Sequence, residues 1–239
     1  MLGIFTGTVA NALLVVLGTA FGCIFKTKKL KQIGDRVFQA FGFFVITLGI
    51  SGAIALKQPI FTLISIVIGI AIGELIDIDD KFNRLGLWLQ NKFAKGSMGT
   101  KHKSTAFAEG FVQASLLFCI GSMTIMGAMQ AGLEGQHSIY YTKGLIDGVS
   151  AIGFAMGSGI GVAFSALSVL VYQGLLTAGA SILSGILTDE IIALSTQIGS
   201  LTLMAIGFNM LGITKIKVAN FLPAMFIPMI WQAILVIAG

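Results

Sequence analysis

The sequence is short of charge. Only 10% of its 239 residues are Asp, Glu, Lys or Arg, against 56% hydrophobic residues and a mean hydropathy of +0.94. Soluble domains carry about 25% charged residues, so this chain lacks the means to cover a water-facing surface. Cysteine is scarce too. Cys23 and Cys119 both lie inside apolar runs, which argues against a disulfide framework and for small packed thiols. The two histidines, His102 and His137, fall in loops expected on opposite sides of a membrane. They have no metal-ligand companions at usable spacing, and no acid–base constellation or phosphate-cradling glycine motif accompanies them. No cofactor and no enzyme chemistry is therefore expected. The N-terminus lacks the basic region and small-residue cleavage site of a signal peptide. Also missing is polar/apolar alternation in segments of about ten residues, which excludes a transmembrane β-barrel.

What remains is a succession of long apolar runs, each near the roughly 20 residues that a helix needs to span hydrocarbon. The expected spans are 2–25, 37–56, 60–78, 107–129, 142–162, 164–183, 190–211 and 219–238. The fold class is thus all-α: a polytopic transmembrane bundle of about eight spans, forming one integral-membrane domain over 1–239. No charged loop divides the fifth and sixth runs, which read either as two spans or as a re-entrant pair. The net charge of +5 would suit nucleic acid by sign alone, but its placement excludes that partner. With the N-terminus outside, all but two of the 15 basic residues, Lys57 and Lys143, fall in cytoplasmic segments, as the positive-inside rule requires. Both termini are then outside.

The stretch DDKFNRLGLWLQNKFAK, 79–95, differs in kind. Phe82, Leu85, Trp88, Leu89 and Phe93 share one helical face. This is the pattern of a helix lying in the cytoplasmic interface, with Lys81, Arg84, Lys92 and Lys95 near anionic head groups and Trp88 at the boundary. Residues 96–105 read as a mobile cytoplasmic link.

Each ionisable or amide group inside hydrocarbon needs a reason, since a charge there costs about 2.5–3.5 kcal/mol on insertion scales. Asp147 has two readings: an ion or proton site at the mouth of a pathway, or a pair with Lys143 one helical turn away. Glu74 lies about 14 residues into the third span, about 21 Å along the helix, and its short side chain favours a bundle-facing role. Glu109 is closer to the interface. Asn11, Gln113, Gln173 and Asn209 either tie helices together by hydrogen bonds or converge on a solute site.

The stretch GLIDGVSAIGFAMGSGIGVAF, 144–164, holds six glycines. Gly153, Gly157 and Gly161 fall on one face and suit close helix packing, while Gly157-Ser158-Gly159 is the place where the helix would unwind to face a cavity. Gly3, Gly7 and Gly18 recur as Gly144, Gly148 and Gly159 at an offset of 141, the kind of echo left by the internal repeats of transporters.

Several blocks, AEGFVQASLLFCIGSMTIMGAMQAGL at 108–133, TKGLIDGVSAI at 142–152, VYQG at 171–174 and NMLGITKIKVANFLPA at 209–224, resemble the YdfK/YqgA-like family of bacterial inner-membrane proteins. GTVANALLVVLG near the start and IGIAIGELIDID in the third span extend the resemblance to nearly the whole chain. It implies a bacterial cytoplasmic membrane and a multi-spanning helical protein, and brings no substrate or residue role with it. The expected function is transport of an ion or small polar solute, coupled to protons or cations through Asp147 or Glu74. The alternative is a non-transporting scaffold, assembly factor or sensor acting as a homo-oligomer.

Overall fold

The computed structural model describes residues 2–24, 31–55, 57–93 and 101–238. Eleven helices follow in order: α1 Thr6–Ile24, α2 Lys31–Ile54, α3 Pro59–Ile76, α4 Ile78–Phe93, α5 Lys101–Cys119, α6 Ser122–Met129, α7 Ser138–Ser158, α8 Ser165–Ala178, the one-turn α9 Ala180–Leu183, α10 Asp189–Met210 and α11 Leu222–Ala238. There is no strand among the described residues. Helix starts obey local chemistry. Pro59 opens α3, where its missing N–H costs nothing, and the Thr188 side chain accepts from the Ile191 N–H to cap α10.

Among the described residues, six helical stretches are long and apolar enough to cross a membrane, and seven if the bent pair α5–α6 counts as one span. One of the six, Ser138–Ala178, is 41 residues long. Straight, it would extend about 60 Å, twice a hydrocarbon core. It is not straight. Gly159 adopts φ 79°, ψ −150°, a 3-10 stretch follows over Gly159–Phe164, and the Tyr140 hydroxyl near the start lies 3.4 Å from Thr177 Oγ1 near the end. The two ends meet, so α7 and α8 are the arms of a hairpin, a geometry that two spans and a re-entrant pair share; counted as two spans, with α5–α6 as one, they bring the total to eight. Unwinding thus occurs at Gly159, where the sequence pointed. Gly157, by contrast, packs on the Phe38 ring.

The packing directions agree with eight passes. In α1 and α7, Gly7 meets Tyr140, Gly18 meets Gly148 and Gly22 meets Ile152, so the helices run parallel. In α2 and α10, Gly42 meets Met210 and Gly49 meets Met204, so they run antiparallel; Gly69 against Ala224 and Gly73 against Asn220 make α3 and α11 antiparallel too. Both ends of the chain therefore share one face of the bundle, termed here the terminal face. The opposite, basic face carries Arg36, Lys81, Arg84, Lys92, Lys215 and Lys217. Of the echoing glycines, Gly7, Gly18, Gly144 and Gly148 lie in the α1–α7 seam, whereas a Cβ on Gly3 would meet nothing within 4 Å and Gly159 ends α7.

Two expectations need correction. The fourth span, placed at 107–129, is broken: α5 and α6 meet at a 58° bend, with Gly121 at φ 125°. Residues 101–105, assigned to a mobile link, are helical and open α5, while 96–100 lie outside the described residues.

A Cβ on Gly18 would overlap the Gly148 carbonyl, whereas one on Gly174 meets nothing within 4 Å. Gly18→Ala is expected to cost about 1–3 kcal/mol, the range for overpacking a tight contact, while Gly174→Ala gains helix propensity at no steric cost. Thermal unfolding in detergent reads both, and equal midpoints would refute the seam.

Candidate functional site

The bend at Gly121 decides the chemistry of the interior. A helix that stops inside the bundle leaves its last carbonyls without N–H partners. One of these, the Phe118 carbonyl, accepts from Lys143 Nζ at 2.7 Å. The same ammonium is paired with Asp147 Oδ2, one turn along α7, and Asn11 Nδ2 on α1 donates to that oxygen at 3.0 Å. Lys143 and Asp147 are 5% and 6% exposed. A charged pair, an amide and a helix end thus form one cluster that ties α1, α5 and α7 together. Of the two sequence readings of Asp147, the pair with Lys143 forms, inside the bundle rather than near the outer interface. Close approach makes it feasible, since Gly144 lets α7 lie against the Asn11 backbone.

Beside the cluster, Tyr140 donates its hydroxyl to the Thr124 carbonyl at 3.2 Å, linking α7 to α6. Gln173 on α8 is fully buried, and neither its amide nitrogen nor its oxygen has a hydrogen-bond partner. Unpaired buried amides are costly.

The other candidates lie elsewhere. Gln113 and Asn209 line a cavity of about 540 Å³ at the basic face, together with Glu109, Asp79, Asn83, Lys215 and Lys217. Asn209 shapes its wall: the side-chain oxygen accepts from Thr214 Oγ1 and the Ile216 N–H at 2.7 and 2.9 Å, and the nitrogen donates to the Ile216 carbonyl at 2.8 Å. Asn11 and Asp147 do not line that cavity. Glu74 is exposed on the last turn of α3, not bundle-facing as expected, because Gly69 and Gly73 occupy the face that meets α11. On α4, Lys81, Arg84, Trp88 and Lys92 are exposed, with Lys92 Nζ 4.8 Å from the Trp88 ring centroid and Arg84 bridged to Asp80 at 2.6 Å. Lys95 lies outside the described residues. No cluster of three or more metal-ligating side chains exists among the described residues.

Sequence reasoning missed the elbow between α3 and α4. Asp77 turns the chain in the left-handed region at φ 50°, and its carboxylate accepts from Lys217 Nζ at 3.1 Å. Asp79 and Asn220 cap one another's helices: Asn220 Oδ1 accepts the Asp79 N–H at 2.8 Å, and Asp79 Oδ1 accepts the Ala219 N–H at 3.3 Å. Asn83 Nδ2 donates to the other Asp79 oxygen at 2.9 Å. The hydrogen bond from Lys217 holds the Asp77 carboxyl below its ordinary range and raises Lys217 in return, while burial pushes Asp79 up.

With this geometry established, the comparisons with known proteins are informative. A model of the family described as "Protein of unknown function (DUF554)" matches residues 6–233. The chain belongs to that family. Its relatives include the "Uncharacterized membrane protein YdfK" of Bacillus subtilis (strain 168), 33% identical over 226 residues and 93% of each chain. The "Uncharacterized protein YqgA" of Escherichia coli (strain K12) is 28% identical over 223 residues, 93% of this chain and 94% of its own. No solved structure matches. This is a polytopic membrane protein, and Asn11, Glu74, Glu109, Asp147 and Asn209 all lie within the matched region.

The elbow yields a sign-sensitive test. A lowered carboxylate contributes stability at neutral pH that is lost as acid protonates it; a raised one contributes stability at low pH that is lost as pH rises. The penalty of Asp77→Asn is therefore expected to be largest at pH 7 and to fade toward pH 3, whereas that of Asp79→Asn grows from pH 7 toward pH 4. Thermal midpoints of parent and variants across pH 3–7 check this, and parallel curves would refute it.

Proposed function

We propose that the protein is a transport protein for an ion or small polar solute, coupled to protons or a cation through the Lys143–Asp147 pair. The observation that carries this reading is the pair itself, buried against the carbonyl of a broken helix. Ionisable groups at membrane depth mark ion pathways and proton relays by default, and discontinuous helices supply their ligands in transporters. Protonation of Asp147 would remove the charge that compensates Lys143. An unpaired buried ammonium is costly, so α7 must then shift against the Gly121 bend, which links a proton to a change of shape. The 540 Å³ cavity on the basic face supplies an entrance. Its Gln113 lies five residues before Phe118 on α5, about 7.5 Å lower along the helix. The reading sets the chain in a bacterial cytoplasmic membrane with both termini outside, on the strength of its lysine and arginine distribution.

A second reading, a non-transporting scaffold, assembly factor or sensor, draws on a specific fact: Asp147 is already matched by Lys143 and Asn11. A charge-matched double variant separates the two. Removing one member of a buried pair costs about 3–5 kcal/mol, but replacing both with apolar groups is often neutral. Lys143→Met/Asp147→Leu gives up the bonds to the Phe118 carbonyl and Asn11 but leaves no bare charge, so it is expected to melt below the parent and above Asp147→Asn alone. Proteoliposomes loaded with a pH-sensitive dye are challenged with a panel of monovalent cations and small carboxylates. Under the transport reading the parent moves protons with at least one of them, and the double variant loses at least tenfold of that flux. A parent that moves none overturns transport; a double variant with parental flux overturns the role of the pair.

A further inference from the structure

A second cavity, of about 490 Å³, lies between α4, α5, α8 and α11. Its walls are nearly all hydrocarbon. The two serines that reach it, Ser115 and Ser168, are spent on each other at 2.9 Å. On α5 it extends from Phe111 to Ile120, a height of about 13 Å. Leu85 and Trp88 on α4 and Leu167, Val171 and Leu175 on α8 line it while remaining 45–68% exposed, so its mouth opens sideways, where the bilayer is. Its size falls within the roughly 300–1,000 Å³ of small-molecule sites.

Three occupants compete. A polar solute meets walls that are nearly all hydrocarbon, the Tyr172 hydroxyl, the Trp88 N–H and the Cys119 thiol being their polar groups besides the paired serines. A second copy of this chain, itself at a net charge of +5, is a poor complement to a mouth rimmed by lysines. An acyl chain fits in both chemistry and volume. The rim of the mouth adds the decisive feature. Lys81, Leu85, Trp88 and Lys92 are spaced i, i+4, i+7 and i+11 on α4, and therefore form one stripe. Its two inner members line the cavity and its two outer members are exposed cations, Lys92 lying over the Trp88 ring.

We propose that this cavity is a specific lipid site: it takes one acyl chain of an anionic glycerophospholipid from the leaflet on the basic face, with the head group held by Lys81 and Lys92. The site is separate from the Lys143–Asp147 pair and stands whether or not the protein transports anything.

Native mass spectrometry of delipidated protein, with phosphatidylglycerol and phosphatidylcholine of identical chains, tests it. The parent is expected to retain one phosphatidylglycerol per chain with at least a fivefold preference. Lys81→Glu/Lys92→Glu should abolish the preference, and Val171→Trp, which fills the mouth from the lipid side, should abolish retention of both lipids. Equal retention of the two lipids by the parent overturns the proposal, as does phosphatidylglycerol binding untouched by Val171→Trp, which would mean belt lipid only. Should Val171→Trp fail to fold, Trp88 reports instead. In a Trp231→Phe background, chain-brominated phosphatidylglycerol should quench its fluorescence and unbrominated phosphatidylglycerol, but not phosphatidylcholine, should reverse the quenching. Quenching reversed equally by both lipids overturns the head-group role, and no quenching overturns the site.

Discussion

A backbone carbonyl without a partner is intolerable in hydrocarbon, and the interior of this bundle is organised around repairing one. The helix of the fourth span stops at the Gly121 bend, and no helical turn continues to satisfy Phe118. Water is not available at that depth to do so. A lysine does it instead, and the lysine creates a second problem, a buried positive charge. Asp147 answers that charge, and Asn11 answers the crowded carboxylate. Each member is there because the previous one would otherwise be unsatisfied, and half of such a network is worse than none. The glycine seam between α1 and α7 follows from the same need. Only where Gly18 and Gly144 let the backbones touch does Asn11, with its short side chain, reach across to Asp147.

At the basic face the same arithmetic has a milder outcome. The reciprocal caps of Asp79 and Asn220 bind the start of α4 to the turn before α11, but the Asp77–Lys217 bridge beside them is exposed and screened by solvent. The molecule is therefore asymmetric. Its one buried charge network among the described residues, Lys143–Asp147, lies toward the terminal face, while the basic face carries a wet, adjustable ring of charges beside the polar cavity.

Much of this was readable in the sequence, and the rest for a definite reason was not. Apolar length and lysine placement carry the eight crossings, because the bilayer imposes them on each segment alone. The amphipathic helix expected over 79–95 was equally plain from its sided pattern, and α4 forms there. Failures came where two segments had to be known together. Glu74 looked bundle-facing from depth, yet the face it would need belongs to Gly69 and Gly73. Lys143 was visible as a neighbour of Asp147, but the carbonyl it serves is 25 residues away on another helix. The signal for that was Gly121, in the run FCIGSM, a glycine flanked by a span's apolar residues that no packing stripe required. Asn220, likewise, means nothing until α3 and α11 are seen side by side.

The two cavities share a wall, and this makes α5 the element on which the rest turns. Glu109, Val112 and Gln113 face the polar cavity, while Phe111, Ser115 and Cys119 face the apolar one, so one helix divides water-facing from lipid-facing space. Its end is held by Lys143 at the Phe118 carbonyl and by the core packing of Leu116 and Phe118. A tilt of α5 about Gly121 widens one cavity as it narrows the other, and the cost of that tilt is set by how firmly Lys143 grips the Phe118 carbonyl. On the proposed readings, a change of charge at Asp147 would act on both spaces at once, and a lipid chain against Ser115 would act back on the pair by the same lever. Reciprocity of this kind is a thermodynamic requirement once two sites bias one element. α5 is such an element by virtue of where its backbone breaks.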